Sequence, residues 1–279
     1  IILLVSEKKI IQSWIKSIDK LMKGNLRRII SSEKFKNLSN GESLVVAFPF
    51  GLNCIEFHII KVSEDDCRTN YRVVGGAIAN SIKNDDILLI SQQKVEISEI
   101  LYGFFLKAYR FNKYKNRNED VLQKIMVLSS KFKKEKKNFE FYKSLLNGIY
   151  FCRDLTNEPA NILNTIEFTK RLIALESFGL QVEVLDEEKL NQLGMRALLA
   201  VGQGSEYPAR VIVLRWQGLK VCEKPLLLVG KGVTFDSGGI SLKPASGMDE
   251  MIMDMSGAGI VAGIMKTLAL RQASTNVVG

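Results

Sequence analysis

Short apolar runs alternate with longer amphipathic ones in two successive tracts, and this restricts the fold more than any other feature of the chain. In the first tract the runs "IILLV", "SLVVAFPF", "IEFHIIKV" and "DDILLIS" read as strands, while "IIQSWIKSIDKLMKG" and "EISEILYGFFLKAYRF" read as helices. Strands that alternate with helices imply an α/β domain built on a largely parallel sheet. A charged run, "KFKKEKKNFEFYK" (Lys131–Lys143), leads into a helical pattern over Phe139–Leu155. "TNEPAN" ends that helix, because Pro159 disfavours helical backbone at Glu158. The second tract opens with a helix over about Thr165–Phe178, followed by the strand "QVEVLD" and the short helix "EEKLNQLG". After "ALLAVGQG" come a strong strand "ARVIVLRW", a buried-type strand "PLLLVG", a glycine-rich stretch and an apolar helical pattern over about Met248–Leu270. The expected fold class is therefore α/β in two domains. The first covers residues 1–137, a connecting helix follows over 138–158, and the second covers 159–279 with a mixed, largely parallel sheet flanked by helices.

The 279 residues, 46% apolar and 25% charged, are enough for two cores of ordinary size. No run of 18 or more uncharged apolar residues and no signal-like N-terminus is present, so the reading is of a cytoplasmic protein with no membrane partner. The first residue is Ile, at the head of an apolar run, and "STNVVG" ends in a strand-like run; both ends read as cut. Cys54, Cys67, Cys152 and Cys222 show no zinc-type spacing and read as reduced core thiols. The single histidine, His58, sits in the alternating "NCIEFHII" and reads as a sheet residue. One histidine excludes an H-E-x-x-H zinc peptidase within this chain, so its chemistry rests on carboxylates, lysines or a bound cofactor. The net charge of +9 lies wholly in the first half, where residues 1–140 carry 25 Lys/Arg against 16 Asp/Glu. Such a surface suits a solvated helix face, or nucleic acid through counterion release. "VVGGAIANSIK" (Val73–Lys83) reads as a glycine turn opening a helix, either a tight turn or an anion site at the helix N-terminus.

The chemistry concentrates in "VGKGVTFDSGGISLKP" (Val229–Pro244). A phosphate-binding Walker loop fails, because Pro225 stands at its first glycine and Gly232 follows Lys231. The dinucleotide fingerprint fails at Phe235, and in "GQGSEY" at Tyr207. What remains is Lys231, Asp236, Lys243 and, within "MIMDMSGAGIVAGIM", Asp254. Glycines 232, 238 and 239 let the backbone approach a ligand closely. A lone carboxylate among methionines and glycines calls for a charge partner or a metal. Two readings stand: a site for a hard cation such as magnesium, manganese or zinc, and Lys–Asp ion pairs that close a loop.

"VGKGVTFDSGGISLKP" followed by "MDEMIMDMSGAG" closely resembles the signature region of the cytosolic leucyl aminopeptidase family, the two-metal aminopeptidases. Weaker similarity runs back through "GMRALLAVGQGSEYPARVIVLRW" and "CRDLTNEPANIL" to about residue 150. The resemblance implies a catalytic C-terminal domain and a variable α/β N-terminal one. It also implies two divalent metal ions, manganese or zinc, peptide substrates cleaved at the N-terminal residue with leucine preferred, and a homo-hexamer. It makes Lys231, Asp236 and Asp254 metal ligands, Asp236 bridging both ions and contacting substrate. Lys243 becomes the catalytic group that polarises the scissile carbonyl, and Met251 lines the pocket for the first side chain. A ligating lysine must be neutral and an oxyanion-stabilising one charged, so opposite protonation states are expected in one site. The family's second signature, N-T-D-A-E-G-R, is absent from these residues. The resemblance thus implies a catalytic domain that is C-terminally incomplete, and the alternative reading is a nucleic-acid-binding protein working through its basic N-terminal half.

Overall fold

The structure, a computed structural model, describes residues 1–6, 13–63, 67–82, 86–91, 95–115, 124–219 and 224–279. The chain divides into two compact units, Ile1–Lys143 and Ser144–Gly279.

In the first unit the elements run β1 (Ile2–Val5), α1 (Ser13–Leu21), α2 (Asn25–Ser31), α3 (Glu33–Lys36), β2 (Ser43–Ala47), β3 (Glu56–Lys61), α4 (Arg68–Ser81), β4 (Ile87–Ile90), α5 (Ile97–Ala108) and β5 (Ile125–Leu128). The sheet order is β2-β3-β1-β4-β5, with parallel pairing except between β2 and β3. Alternation along β1 explains why "IILLV" is apolar at every position. Ile2 and Leu4 join a core with Val74, Ile78, Ile100 and Phe104 of α4 and α5, while Leu3 and Val5 join another with Ile15, Leu26, Ile30 and Phe35 of α1–α3. A central strand covered on both faces needs no polar side.

The glycines of "VVGGAIANSIK" do not make a turn. Both Gly75 and Gly76 lie inside α4, and Gly75 packs on the backbone of α5: a Cβ there would run into Ile100 O and lie 2.6 Å from Phe104 N. Gly103 of α5 returns the contact, where a Cβ would lie 2.6 Å from Arg72 Cα. The absent side chains let two helices cross backbone to backbone, which removes the basis for an anion-binding turn at this point. Beside the crossing, the buried carboxylate of Glu99 accepts from Arg72 Nε at 2.8 Å and from the Tyr142 hydroxyl, with Arg68 Nε at 3.5 Å. The Glu99 carboxylate raises the Arg72 guanidinium above its ordinary value, and burial, followed by the Glu99 bond, pushes the Tyr142 phenol up. His58 is a buried residue of β3 whose Nε2 lies 2.8 Å from Glu56 Oε2.

The helix read over Phe139–Leu155 is longer, α6 (Phe132–Asn157), and the unit boundary falls within it. The second unit continues with α7 (Thr165–Ile173) and a 3₁₀ turn Ala174–Phe178, then β6 (Gln181–Leu185), α8 (Glu187–Gln192), α9 (Arg196–Gly202), β7 (Val211–Gln217) and β8 (Leu226–Leu227). A 3₁₀ turn Met248–Met253, α10 (Ser256–Leu270) and β9 (Asn276–Val278) complete it. The Asn164 side chain caps α7 and Asp186 caps α8, as their residue types favour. One core gathers Leu155, Phe168, Leu172, Trp216, Met265 and Val277.

Three expectations are corrected here. The second sheet, in order β6-β7-β9-β8, is mixed but not largely parallel, since β6–β7 and β7–β9 are antiparallel and β8–β9 alone is parallel among the described residues. "PLLLVG" yields a two-residue strand, Leu226–Leu227, whose leucines are exposed, and among the described residues β8 pairs only with β9. The described thiols are free, as expected, but their placement differs: Cys54 is half-buried against the first unit's core, Cys152 is half-buried, and Cys67 is exposed and so not a core residue; Cys222 lies outside the described residues. The stretch Met248–Leu270 is long and apolar enough by composition to cross a membrane, with mean hydropathy 1.3. Its regular helix, α10, has 15 residues and is about 22 Å long, short of a bilayer core, and it buries Ala262, Met265 and Ala269 in the protein.

Candidate metal centre

Lys231 lies just beyond the carboxyl end of β8, where open α/β sheets place their ligands. The chain there runs directly against the first turn of α10. Ala258 N donates to Lys231 O at 2.8 Å, and the Lys231 side chain forms an ion pair with Asp254, two residues before the helix begins.

From Val233 the chain makes an exposed irregular loop that closes on itself through a hydrogen bond from Lys243 N to Ser237 O at 2.8 Å. Gly238 and Gly239 adopt φ of 94° and 77°, a region in which a side chain is strained. This closure brings Lys243 Nζ to 2.9 Å from Asp236 Oδ2, while Gly238 N donates to Asp236 Oδ1 at 2.8 Å. The Lys243 hydrogen bond, then the Gly238 amide, hold the Asp236 carboxyl below the usual carboxylate range, and the Lys231 charge reaches it as well. Lys243 Nζ also donates to Met251 Sδ at 3.3 Å.

The four ionisable residues singled out in the sequence thus form two pairs, Lys231–Asp254 and Lys243–Asp236, linked by the effect of the Lys231 charge on Asp236. Both readings of the loop meet here: the ion pairs exist, and the same side chains include the carboxylates of a hard donor set. That set fits a divalent cation in part. Two carboxylates and an amine make one side of a cage, and no cluster of three or more His, Cys, Asp or Glu that could hold a metal occurs among the described residues. A cavity of about 770 Å³ opens beside Lys231, lined by Phe168, Val201, Leu227, Val229 and Phe235. Met251 is not part of its lining; it stands against Lys243 instead.

Fold and site together define a two-unit α/β protein in which Lys231, Asp236 and Lys243 of a glycine loop beyond a strand end, and Asp254 just before a helix, form two ion pairs. The chain belongs to the cytosol aminopeptidase family: residues 150–279 match the model of that family's catalytic domain. It is 42% identical over 262 residues to a probable cytosol aminopeptidase of Dinoroseobacter shibae, covering 94% of this chain and 54% of that protein. A probable cytosol aminopeptidase of Nitrobacter winogradskyi is 36% identical over 271 residues, with 92% and 54% covered. The chain spans about half the length of the curated relatives it matches. Among solved structures, the bottromycin maturation enzyme BotP in complex with Mn superposes with a TM-score of 0.76 at 22% identity, over 100% of this chain and 57% of that one, which is a likeness of fold.

Proposed function

We propose that the complete protein is a metal-dependent aminopeptidase that releases N-terminal residues, leucine preferred, from peptides. The observation that carries this reading is the pairing of Lys231 with Asp254 and of Lys243 with Asp236, with the Lys231 charge felt at Asp236, in a chain of the cytosol aminopeptidase family. Lys231, Asp236 and Asp254 are the residues that would hold divalent metal, manganese or zinc. Bound metal would supply a hydroxide nucleophile and an anchor for the substrate's free α-amino group. Lys243, paired with Asp236, would present positive charge to the oxygen of the scissile carbonyl as negative charge develops there. Asp236 lies 2.9 Å from that ammonium and Met251 Sδ accepts from it at 3.3 Å, which sets Met251 beside the group that would meet the substrate. A cytoplasmic location and assembly into a hexamer belong to the same proposal, supported by the names of the relatives and by family membership.

The test is hydrolysis of a leucine arylamide by the complete protein with manganese or zinc, beside metal analysis. Metal-dependent turnover that disappears in Asp236→Ala is the expected result. Turnover that persists without metal, or within tenfold of wild type in Asp236→Ala, overturns the assignment.

A further inference from the structure

Gly230 and Gly257 face each other at the point where the loop meets α10. A Cβ on Gly230 would collide with Gly257 O and lie 2.6 Å from Gly257 C and 2.7 Å from Ala258 Cα. A Cβ on Gly257 would lie 2.9 Å from Lys231 N and 3.2 Å from Lys231 O. Backbone atoms on both sides leave no flexible side chain to move aside. Neither glycine has positive φ, so backbone conformation does not account for their presence. Close approach does: it brings Ala258 N to within 2.8 Å of Lys231 O, and the Lys231 side chain then reaches Asp254 across the start of the helix.

We propose that Gly230 and Gly257 are positioning residues, whose missing side chains let loop and helix touch backbone to backbone and thereby hold the Lys231 amine against Asp254. The inference rests on Lys231 and Asp254 being site residues as read above, and it assigns to two uncharged residues the placement of the pair. Ala is a better helix former than Gly, so Gly257→Ala does not disfavour the helix itself and acts against the site through the contact. Gly263 provides a control on the same helix. Its Cβ would lie 2.6 Å from Gly148 O, a comparable clash against α6 and remote in sequence from the loop.

The experiment follows acylation of Lys231 by an amine-reactive reagent in the metal-free 279-residue chain, read by peptide mass spectrometry, together with hydrogen exchange at the Ala258 amide. Asp254→Asn sets the reactivity of an unpaired Lys231. Gly230→Ala and Gly257→Ala are expected to raise Lys231 acylation toward that limit, by roughly two- to fivefold as the loss of an exposed ion pair allows, and to lose protection at Ala258. Gly263→Ala is expected to leave both readouts at wild-type values. Unchanged acylation in Gly230→Ala and Gly257→Ala, or an equal rise in Gly263→Ala, overturns the proposal. A separate arm adds manganese to the wild-type chain: slowed acylation of Lys231 supports its role as ligand, while no effect counts against the metal reading alone and leaves the metal-free comparison to decide the positioning role.

Discussion

Lys243 Nζ and Asp236 Oδ2 lie 2.9 Å apart because one hydrogen bond, from Lys243 N to Ser237 O, folds the intervening glycine loop onto itself. The Asp236 carboxyl is thereby held low, first by Lys243 and then by the Gly238 amide. A depressed carboxylate pKa favours the folded form above the unfolded value, and that contribution is lost as pH falls through the folded one. Lys243→Met should raise the Asp236 titration toward the ordinary value of about 3.9, observed by carboxyl-carbon NMR on the metal-free chain. A midpoint that does not move would mean that the ion pair is not formed in solution.

On the proposed aminopeptidase reading, the two lysines should part company. Lys243→Ala is expected to lose about 10²–10³ in kcat with metal content near normal, as for removal of an oxyanion stabiliser. Lys231→Ala is expected instead to weaken metal retention. Metal analysis beside arylamide kinetics distinguishes them, and reversed phenotypes would exchange the roles assigned here.

Much of this was legible in the sequence, for reasons that particular residues make plain. "IILLV" reads as a strand buried on both faces because apolarity at every position has few other uses, and β1 is at the centre of its sheet. The four charged residues of the site stand out because charge among glycines and methionines has to be compensated. Their pairing was not legible: it depends on how the loop closes and on how near α10 begins. Gly75 illustrates the same limit, since a glycine pair in a helical pattern looks alike whether it bends the chain or admits a neighbouring helix. The apolar run "PLLLVG" suggested burial, yet burial belongs to the neighbours of a strand, and β8 has one neighbour among the described residues. The strand β5, four residues behind a charged segment, gave too short a pattern to be recognised.

Adjacent glycines of α4 should respond oppositely to the same substitution. Gly76→Ala meets its nearest neighbour, Lys107 Cβ, at 4.0 Å and should stabilise the first unit by up to about 1 kcal/mol through helix propensity. Gly75→Ala should destabilise it by about 1–3 kcal/mol, because the added methyl group strikes the backbone of α5. Urea unfolding of both variants decides the matter; equal effects would remove the helix crossing as the reason for Gly75.

The Glu99 cluster should tolerate loss of its anion better than loss of its principal cation. Glu99 is 1% exposed and the Arg72 side chain 39% exposed. After Glu99→Gln the arginine can turn to water, whereas Arg72→Met leaves a buried carboxylate with Tyr142 and the more distant Arg68. Arg72→Met should therefore be the more damaging, by up to about 3 kcal/mol, the lower end of the cost of breaking a buried pair. Thermal unfolding in which Glu99→Gln proved the worse would show that the carboxylate is compensated by groups other than Arg72.

The apolar surface left open in the second unit lies at β8 more than on α10. Helix α10 buries Ala262, Met265 and Ala269, with Ile260 and Ile264 exposed, while Leu226, Leu227 and Val229 are 61%, 66% and 86% exposed. Among the described residues strand β8 pairs only with β9, which leaves an edge beside apolar side chains, a combination that recruits further strands. The 279-residue chain should therefore self-associate with rising concentration, and Leu227→Lys should suppress this by placing a charge on the edge. Light scattering and size-exclusion chromatography on both forms, with circular dichroism to verify that the fold is retained, provide the check. If Leu227→Lys associates as strongly as wild type, the adhesive surface is elsewhere, and Ile240 and Leu242 of the exposed loop become the next positions to charge.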